Sequence, residues 1–274
     1  MRYLVPGYLL LALACYAAVP PPIPLKPIRF LLINDVNVAD TLPNGRGGLA
    51  RVATVRRRLA DQGPVLFVLG GNGLSAGRQM VDLLNSAKLD YATFGEHELN
   101  LGLDTLMARV AESKFTWISS NCTRADGTQV AKVIPWDTLR ISGHKVGLFG
   151  LTLEGPYPAD LRCANPDSVA HRTIETLGAE AADVIVAITH QTTDADRNLL
   201  GREPKLDLIL GGHAQKATDS VVSSRHVLKA DENAQSAQFV TLWGGKDSWK
   251  EAVGLVPIDG TLPSDTAVTA AMRR

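Results

Sequence analysis

The sequence predicts an α/β fold, α+β in character, with two β-sheets packed together and helices on the outside. Strand-like apolar runs alternate with segments of helical periodicity through the first half of the chain. Strands dominate the last third, which calls for a second sheet. Five of the apolar runs end on residues able to hold a metal or a proton, as expected where an open α/β sheet binds ligands at its strand carboxyl ends.

The first strand, 28–33, runs into Asn34-Asp35-Val36-Asn37. A glycine-rich segment, 45–48, then precedes a helix over 49–60 with Leu49, Val52, Val55 and Leu59 on one face. The one basic cluster, Arg56-Arg57-Arg58, is the solvated face of that helix. The strand 65–69 leads into Gly70-Gly71-Asn72, and a helix over 77–87 carries Met80, Leu83, Leu84 and Ala87 at helical spacing. The strand 91–94 leads into Gly95-Glu96-His97-Glu98, followed by a helix over 104–112. Further strands are expected at 115–119 and 145–151. A helix over 168–182 precedes the strand 184–188, which ends on Thr189-His190. The strand 206–210 ends on Gly211-Gly212-His213-Ala214-Gln215. Strands at 221–229 and 238–242 complete the pattern, and the polar, small-residue tail over 261–274 is expected to fray.

The chain has 274 residues, enough to bury a substantial core as one large domain or two small ones. Its hydrophobic share of 45% is that of a soluble globular protein, and no repeat or low-complexity block interrupts it. Formal net charge is zero with no long run of one sign, which points away from nucleic acid and anionic membrane surfaces as partners.

Residues 1–19 read as a signal peptide or lipoprotein leader. Arg2 is a minimal positive region and 3–14 is apolar but too short to span a bilayer. Ala12-Leu13-Ala14 gives a small-x-small cleavage pattern before Cys15. Leu11-Ala12-Leu13-Ala14-Cys15 also resembles a bacterial lipobox, with Ala12 where Leu is usual, so Cys15 is a candidate lipid anchor. Residues 20–27 form a proline-rich tether. Export to the bacterial periplasm or cell envelope is the expectation. There Cys122 and Cys163 either pair or remain separate thiols.

Two imidazoles and a carboxylate suit a divalent transition metal, and His190, His213 and Glu96 supply them. Asp35 adds a second carboxylate, and Asn37, Asn72 and Gln215 add neutral amide oxygens. Taken singly, a strand-end His is more often a hydrogen-bonded structural residue, and Asp35 or Asn72 could serve as turn or cap residues. Jointly those bland readings weaken, because three of the six histidines close strand-like runs. His144, His171 and His226 do not, and read as surface or structural.

The order Asp35-x-Asn37, Gly71-Asn72, Gly95-Glu96-His97-Glu98, His190 and Gly212-His213-x-Gln215 resembles the calcineurin-like metallophosphoesterases, in the secreted 5′-nucleotidase branch. The family pattern is D-x-H, G-D, G-N-H-E, a lone H, and G-H-x-H. The likeness runs from Ile28 to Pro257. It implies a four-layer sandwich of two mixed β-sheets flanked by helices, as one domain over 28–260, with two metals at the strand ends. Carried over, one metal would use Asp35, Asn37, Asn72 and Gln215. The other would use Asn72, Glu96, His190 and His213, with Asn72 as the bridge. His97 would face the phosphate or leaving group, oriented by Asn100.

Four positions depart from the pattern: 37 has lost His, 72 has lost Asp, 96 carries Glu for Asn, and 215 has lost His. The orienting residue, usually Asp, is Asn100, and the segment 73–77 is short. The chain also stops where that branch would continue into a nucleoside-binding domain. The first metal position keeps one carboxylate and three amides, a weak set for Mg²⁺ or Ca²⁺ and a poor one for Zn²⁺. The second keeps both imidazoles and gains the charge of Glu96. A neutral amide at 72 cannot hold two cations together against their repulsion. The resemblance therefore implies a metal-dependent phosphoric ester hydrolase with a degraded dinuclear site: one firm metal (Zn, Mn, Mg or Fe) and a second position weak or empty. Its substrate would be a small phosphate ester, nucleotides included, with no protein partner implied. The alternative is an inactive pseudoenzyme or metal-binding protein on the same scaffold.

Overall fold

The computed structural model describes residues 26–74, 77–245 and 249–273. The leader and all but the last two residues of the tether therefore lie outside the described residues. In chain order the strands are β1 (Ile28–Ile33), β2 (Leu66–Leu69), β3 (Tyr91–Ala92), β4 (Thr116–Ile118), β5 (Cys122–Arg124), β6 (Val133–Ile134), β7 (Trp136–Ile141), β8 (His144–Thr152), β9 (Leu161–Cys163), β10 (Val184–His190), β11 (Leu208–Gly211), β12 (Thr218–Val222), β13 (Arg225–Lys229), β14 (Ser236–Trp243) and β15 (Lys250–Pro257). The helices are α1 (Leu49–Ala60), α2 (Arg78–Ser86), α3 (Glu96–Leu99), α4 (Leu103–Glu112), α5 (Pro166–Ala179), α6 (Thr193–Arg202) and α7 (Thr266–Met272).

Two mixed sheets result, ordered β15-β14-β1-β2-β3-β4-β6 and β12-β13-β11-β10-β8-β7, with a small β5-β9 pair beside them. Both large sheets are buried on two faces, which is why their central strands read as nearly unbroken apolar runs. Alternation along each strand sorts the side chains into three cores. Phe30, Leu32 and Val68 of one sheet meet Leu148, Val186, Ile188 and Leu210 of the other in a core between the sheets. Leu31, Ile33, Phe67 and Leu69 face outward onto Val52, Met80, Leu84 and Leu106 of α1, α2 and α4. Phe149, Ile185 and Ile209 face the opposite way onto Ile174, Leu177, Leu199 and Leu200 of α5 and α6. Three cores between four layers is the expected sandwich.

Strand direction places the site. β1, β2, β3 and β4 run parallel, as do β8, β10, β11 and β13. The carboxyl ends of β1, β2 and β3 therefore open onto the same end of the sandwich as those of β10 and β11.

Two expectations need correction. The run 221–229 is two antiparallel strands, β12 and β13, with Ser223 and Ser224 both at positive φ (50° and 63°) in the two-residue turn between them. The tail does not fray throughout: α7 packs on α1 and α2, with Val268 buried. Asp265 starts that helix by accepting bonds from the Ala267 and Val268 backbone N–H groups at 2.9 and 3.3 Å. The structure also decides between the two readings of the cysteines: Cys122 and Cys163 form a disulfide joining β5 to β9. Among the described residues no helix is long and apolar enough to cross a membrane.

Candidate metal centre

Five chain segments converge on one cleft of ≈ 420 Å³, lined by Asp35, Asn37, Asn72, Glu96, His97, Asn100, His213, Gln215 and Glu232 among others. His190 lies fully buried behind Glu96, 2.6 Å from its carboxylate. Asp35, Asn72 and His213 each sit at positive φ (51°, 55° and 63°), a conformation short polar residues and His visit more readily than most. At these points a strand stops and the chain turns sharply, which throws the side chain into the cleft. The loops also press on one another. A Cβ on Gly71 would lie 2.4 Å from His190 Nδ1, and one on Gly95 would lie 2.2 Å from Asn72 Oδ1. Only glycine lets the β2 and β3 loops approach this closely.

Glu96, His190 and His213 each offer a ligand atom, all within 4.8 Å of one another. His190 Nε2 lies 2.6 Å from Glu96 Oε2, and His213 Nδ1 lies 2.9 Å from Glu96 Oε1. The two rings stand edge to face, 5.3 Å apart. The Gly70 carbonyl lies 2.6 Å from His190 Nδ1 and can only accept, so that nitrogen carries the proton. Nε2 is then left facing the carboxylate, buried and not aligned with it as donor to acceptor. One carboxylate and two imidazoles, each placing a ligand atom within 4.8 Å of the others, form a donor set that fits a divalent cation, and the bond to Gly70 is the usual way such an imidazole is oriented.

Without a cation the charges compensate one another. Burial opposes the Glu96 carboxylate, but the imidazoles of His190 and His213 outweigh it and hold the carboxyl far below the usual range. Burial likewise opposes an imidazolium at His190, and Glu96 and Asp35 outweigh it, raising that group above its ordinary value.

The other half of the cleft is built of amides. Asn72 Nδ2 donates to Asp35 Oδ1 at 3.0 Å and lies 3.4 Å from Glu96 Oε2. Its Oδ1 accepts the His97 backbone N–H at 2.9 Å. The amide therefore turns a donor toward both acids, where a bridging ligand would present oxygen. Asp35 Oδ2 accepts from the His213 backbone N–H at 2.8 Å and from Asn34 Nδ2 at 2.9 Å, which ties the β1 loop to the β11 loop. Asn37, Asn100 and Gln215 reach the cleft wall, and His97 is exposed at the same opening.

Sequence reasoning gave no role to three residues of this region. Glu98 is fully buried and accepts four backbone N–H groups, from Asn72, Gly73, Leu74 and Gly95, at 2.7–2.9 Å. Its signal was present: Glu at the third position of a helix reaching back to the N-cap backbone is half of a capping box. Asn233, at φ 56°, accepts the Asn37 and Val38 backbone N–H groups and so fixes the β1 loop. Glu232 adds another acid to the cleft wall. Neither of the last two belongs to a recognisable motif.

The family model for calcineurin-like phosphoesterases matches residues 28–216. The chain belongs to this family. It is 25% identical over 189 residues to a snake venom 5′-nucleotidase from Naja atra, a match covering 61% of this chain and 35% of the relative. It is 27% identical over 186 residues to the protein 5NUC of Lutzomyia longipalpis, with 61% and 32% covered. The chain thus spans about a third of the length of these curated relatives. Among solved structures, the calcineurin-like phosphoesterase YfkN from Bacillus subtilis matches with TM-score 0.77 and 19% identity, covering 90% of this chain and 96% of that one. A 5′-nucleotidase precursor from Thermus thermophilus matches with TM-score 0.78 and 19% identity over 90% and 58% of the two chains. These structural likenesses concern the fold, and the four-layer sandwich is shared.

Proposed function

We propose that this chain is a metal-dependent phosphoric ester hydrolase of 5′-nucleotidase-like type, working with one firmly held divalent cation. The observation that carries this reading is the convergence of Glu96, His190 and His213 from both sheets onto one point. These three residues would hold the cation, with Asp35 as a neighbouring anion. When bound, the cation supplies a Lewis acid that polarises the phosphate oxygen and lowers the pKa of water. Zn²⁺, Mn²⁺ and Fe²⁺ suit the two imidazoles better than Mg²⁺ does. The amide orientation of Asn72 supports a second position that is weak or empty.

The chain's own part is to admit the ester and move a proton. His97, at the cleft opening, gives its proton to the leaving oxygen. Asn100 lies three residues on along the same helical turn and orients it. An amide orients without stabilising imidazolium by charge, so this proton transfer is weaker than with a carboxylate there. The substrate class is a small phosphate ester, and the relatives' names favour a nucleotide within it. The leader in the sequence and the Cys122–Cys163 disulfide support export to the periplasm or cell envelope, with Cys15 as a membrane tether if it carries lipid.

A second reading is a metal-binding pseudoenzyme, favoured by the donor that Asn72 turns toward the acids. Elemental analysis together with turnover of an aryl phosphate and of AMP in Mn²⁺ decides between them. The hydrolase reading expects about one metal per chain and a rate that falls at least tenfold in His97→Ala. Metal retention with no rate above buffer, rescued by the combined Asn37→His, Asn72→Asp, Glu96→Asn and Gln215→His variant, would establish the pseudoenzyme. A protein that retains no metal overturns both.

A further inference from the structure

Beneath the imidazoles lies a charge pair that no reading above uses. Lys229, the last residue of β13, and Asp196, on α6, are both fully buried. Lys229 Nζ lies 2.8 Å from Asp196 Oδ2 and donates to the backbone carbonyls of Gln191 at 2.5 Å and Gly212 at 2.6 Å. Two ammonium protons go to the two carbonyls, and Asp196 Oδ2 stands beside the ammonium as an ion-pair contact that is not aligned as a hydrogen-bond acceptor. The other Asp196 oxygen accepts from Gln191 Nε2 at 3.1 Å. Gln191 follows His190, and Gly212 precedes His213. One cation therefore grips the two backbone segments that carry the two imidazoles.

Gly211 seals the arrangement. A Cβ there would fall 2.9 Å from Thr189 Oγ1, 3.0 Å from Asp196 Oδ2 and 3.1 Å from Lys229 Cε. Burying two charges where apolar side chains could fill the same space is unfavourable for stability alone. Here the ammonium's donors end on the chain immediately beside two candidate ligands.

We propose that the Lys229–Asp196 pair is a positioning element that sets the separation and ring orientation of His190 and His213, and thereby the metal affinity of the centre. This rests on the metal-binding reading of the site. Outer partners of this kind typically change metal affinity 10–100-fold. Neither residue contacts the cleft, so neither is catalytic.

The test removes both charges together, Lys229→Met with Asp196→Leu, so that no lone buried charge remains. Two readouts are compared with the unaltered protein: Co²⁺ affinity with its visible spectrum, and the imidazole ¹⁵N signals of His190, His213 and His97 in metal-free protein. The expected result is a folded variant in which Co²⁺ affinity falls 10–100-fold with an altered spectrum. The His190 and His213 signals move, while that of His97, on α3, does not. A folded variant with unchanged affinity and unchanged signals overturns the proposal. If the unaltered protein binds no Co²⁺, the metal reading fails, and the imidazole signals alone still decide the positioning claim. If the double variant does not fold, Gly211→Ala displaces the same network without removing a charge. It should shift the same two imidazoles and weaken Co²⁺ binding about threefold; no movement in it overturns the proposal equally.

Discussion

The two halves of the cleft are anchored by opposite chemistry. The imidazole half, at the ends of β10 and β11, hangs on a buried cation that donates to backbone carbonyls. The amide half, at the ends of β2 and β3, hangs on a buried anion: Glu98 gathers four backbone N–H groups. The first half ends on a ligand triad whose charges compensate. The second ends on Asn72, an amide pinned between an acid and a backbone donor. Retaining the loop anchor is therefore separable from retaining the ligands it presents. A scaffold can hold a loop in place after the chemistry at its tip has changed.

The largest expected effect tests whether Glu98 anchors the amide half as described. Glu98→Ala leaves four buried N–H groups without an acceptor, and should cost about 3–5 kcal/mol in thermal or urea unfolding. Glu98→Gln turns an amide NH₂ toward two of those donors and should cost less, about 2 kcal/mol. If either variant melts like the unaltered protein, the loop is held by something else and the comparison fails.

The fold was largely legible because both large sheets are buried on two faces. α1 was predicted over the residues it occupies, since Leu49, Val52 and Val55 all face the core. β10 runs two residues beyond the predicted run, because Thr189 and His190 continue the ladder with Leu151 and Thr152. Buried polar strand residues carry no apolar signal. β7 and β15 were missed for a related reason: each is an outer strand, half-buried and mixed in composition. α7 was missed because it is mostly small residues with a single fully buried side chain, Val268. The cleft residues could be found from their places after strands. Lys229 and Asp196 could not, because their pairing exists only once α6 and β13 lie on the same sheet.

A smaller effect probes the amide half itself. Asn72→Asp replaces a donor 3.0 Å from Asp35 Oδ1 with a second carboxylate. In metal-free protein the two like charges should lower stability by about 1–2 kcal/mol. Saturating Mn²⁺ should reverse that loss, and elemental analysis should rise from about one metal per chain toward two. Binding of ligand to the folded state alone stabilises it, so the melting temperature should climb more steeply with Mn²⁺ in the variant. A variant that loses stability without gaining metal would show that position 72 is no longer a bridge even with its charge restored.

The smallest effect concerns the far end of the imidazole half. Asp207 precedes β11 and accepts the Ile185 backbone N–H of β10 at 2.8 Å, which clips together the two strands whose other ends carry His213 and His190. Burial pushes its carboxyl up to about 6, although the Ile185 bond and Arg225 pull the other way. Glu251, close enough to repel it, is itself pushed up, chiefly by burial. The folded state thus keeps a proton on Asp207 that the unfolded chain releases near 4. Its contribution is fully present below pH 4 and is lost as pH rises through 6. Asp207→Asn keeps the acceptor and removes the titration. Relative to the unaltered protein it should be neutral at pH 4 and more stable at pH 8, read as a difference in melting temperature at the two pH values. The opposite slope would mean that the ionised carboxylate is the form the strands require. The clip would then be a charge contact to Arg225, and the two ends of β10 and β11 would both depend on cations.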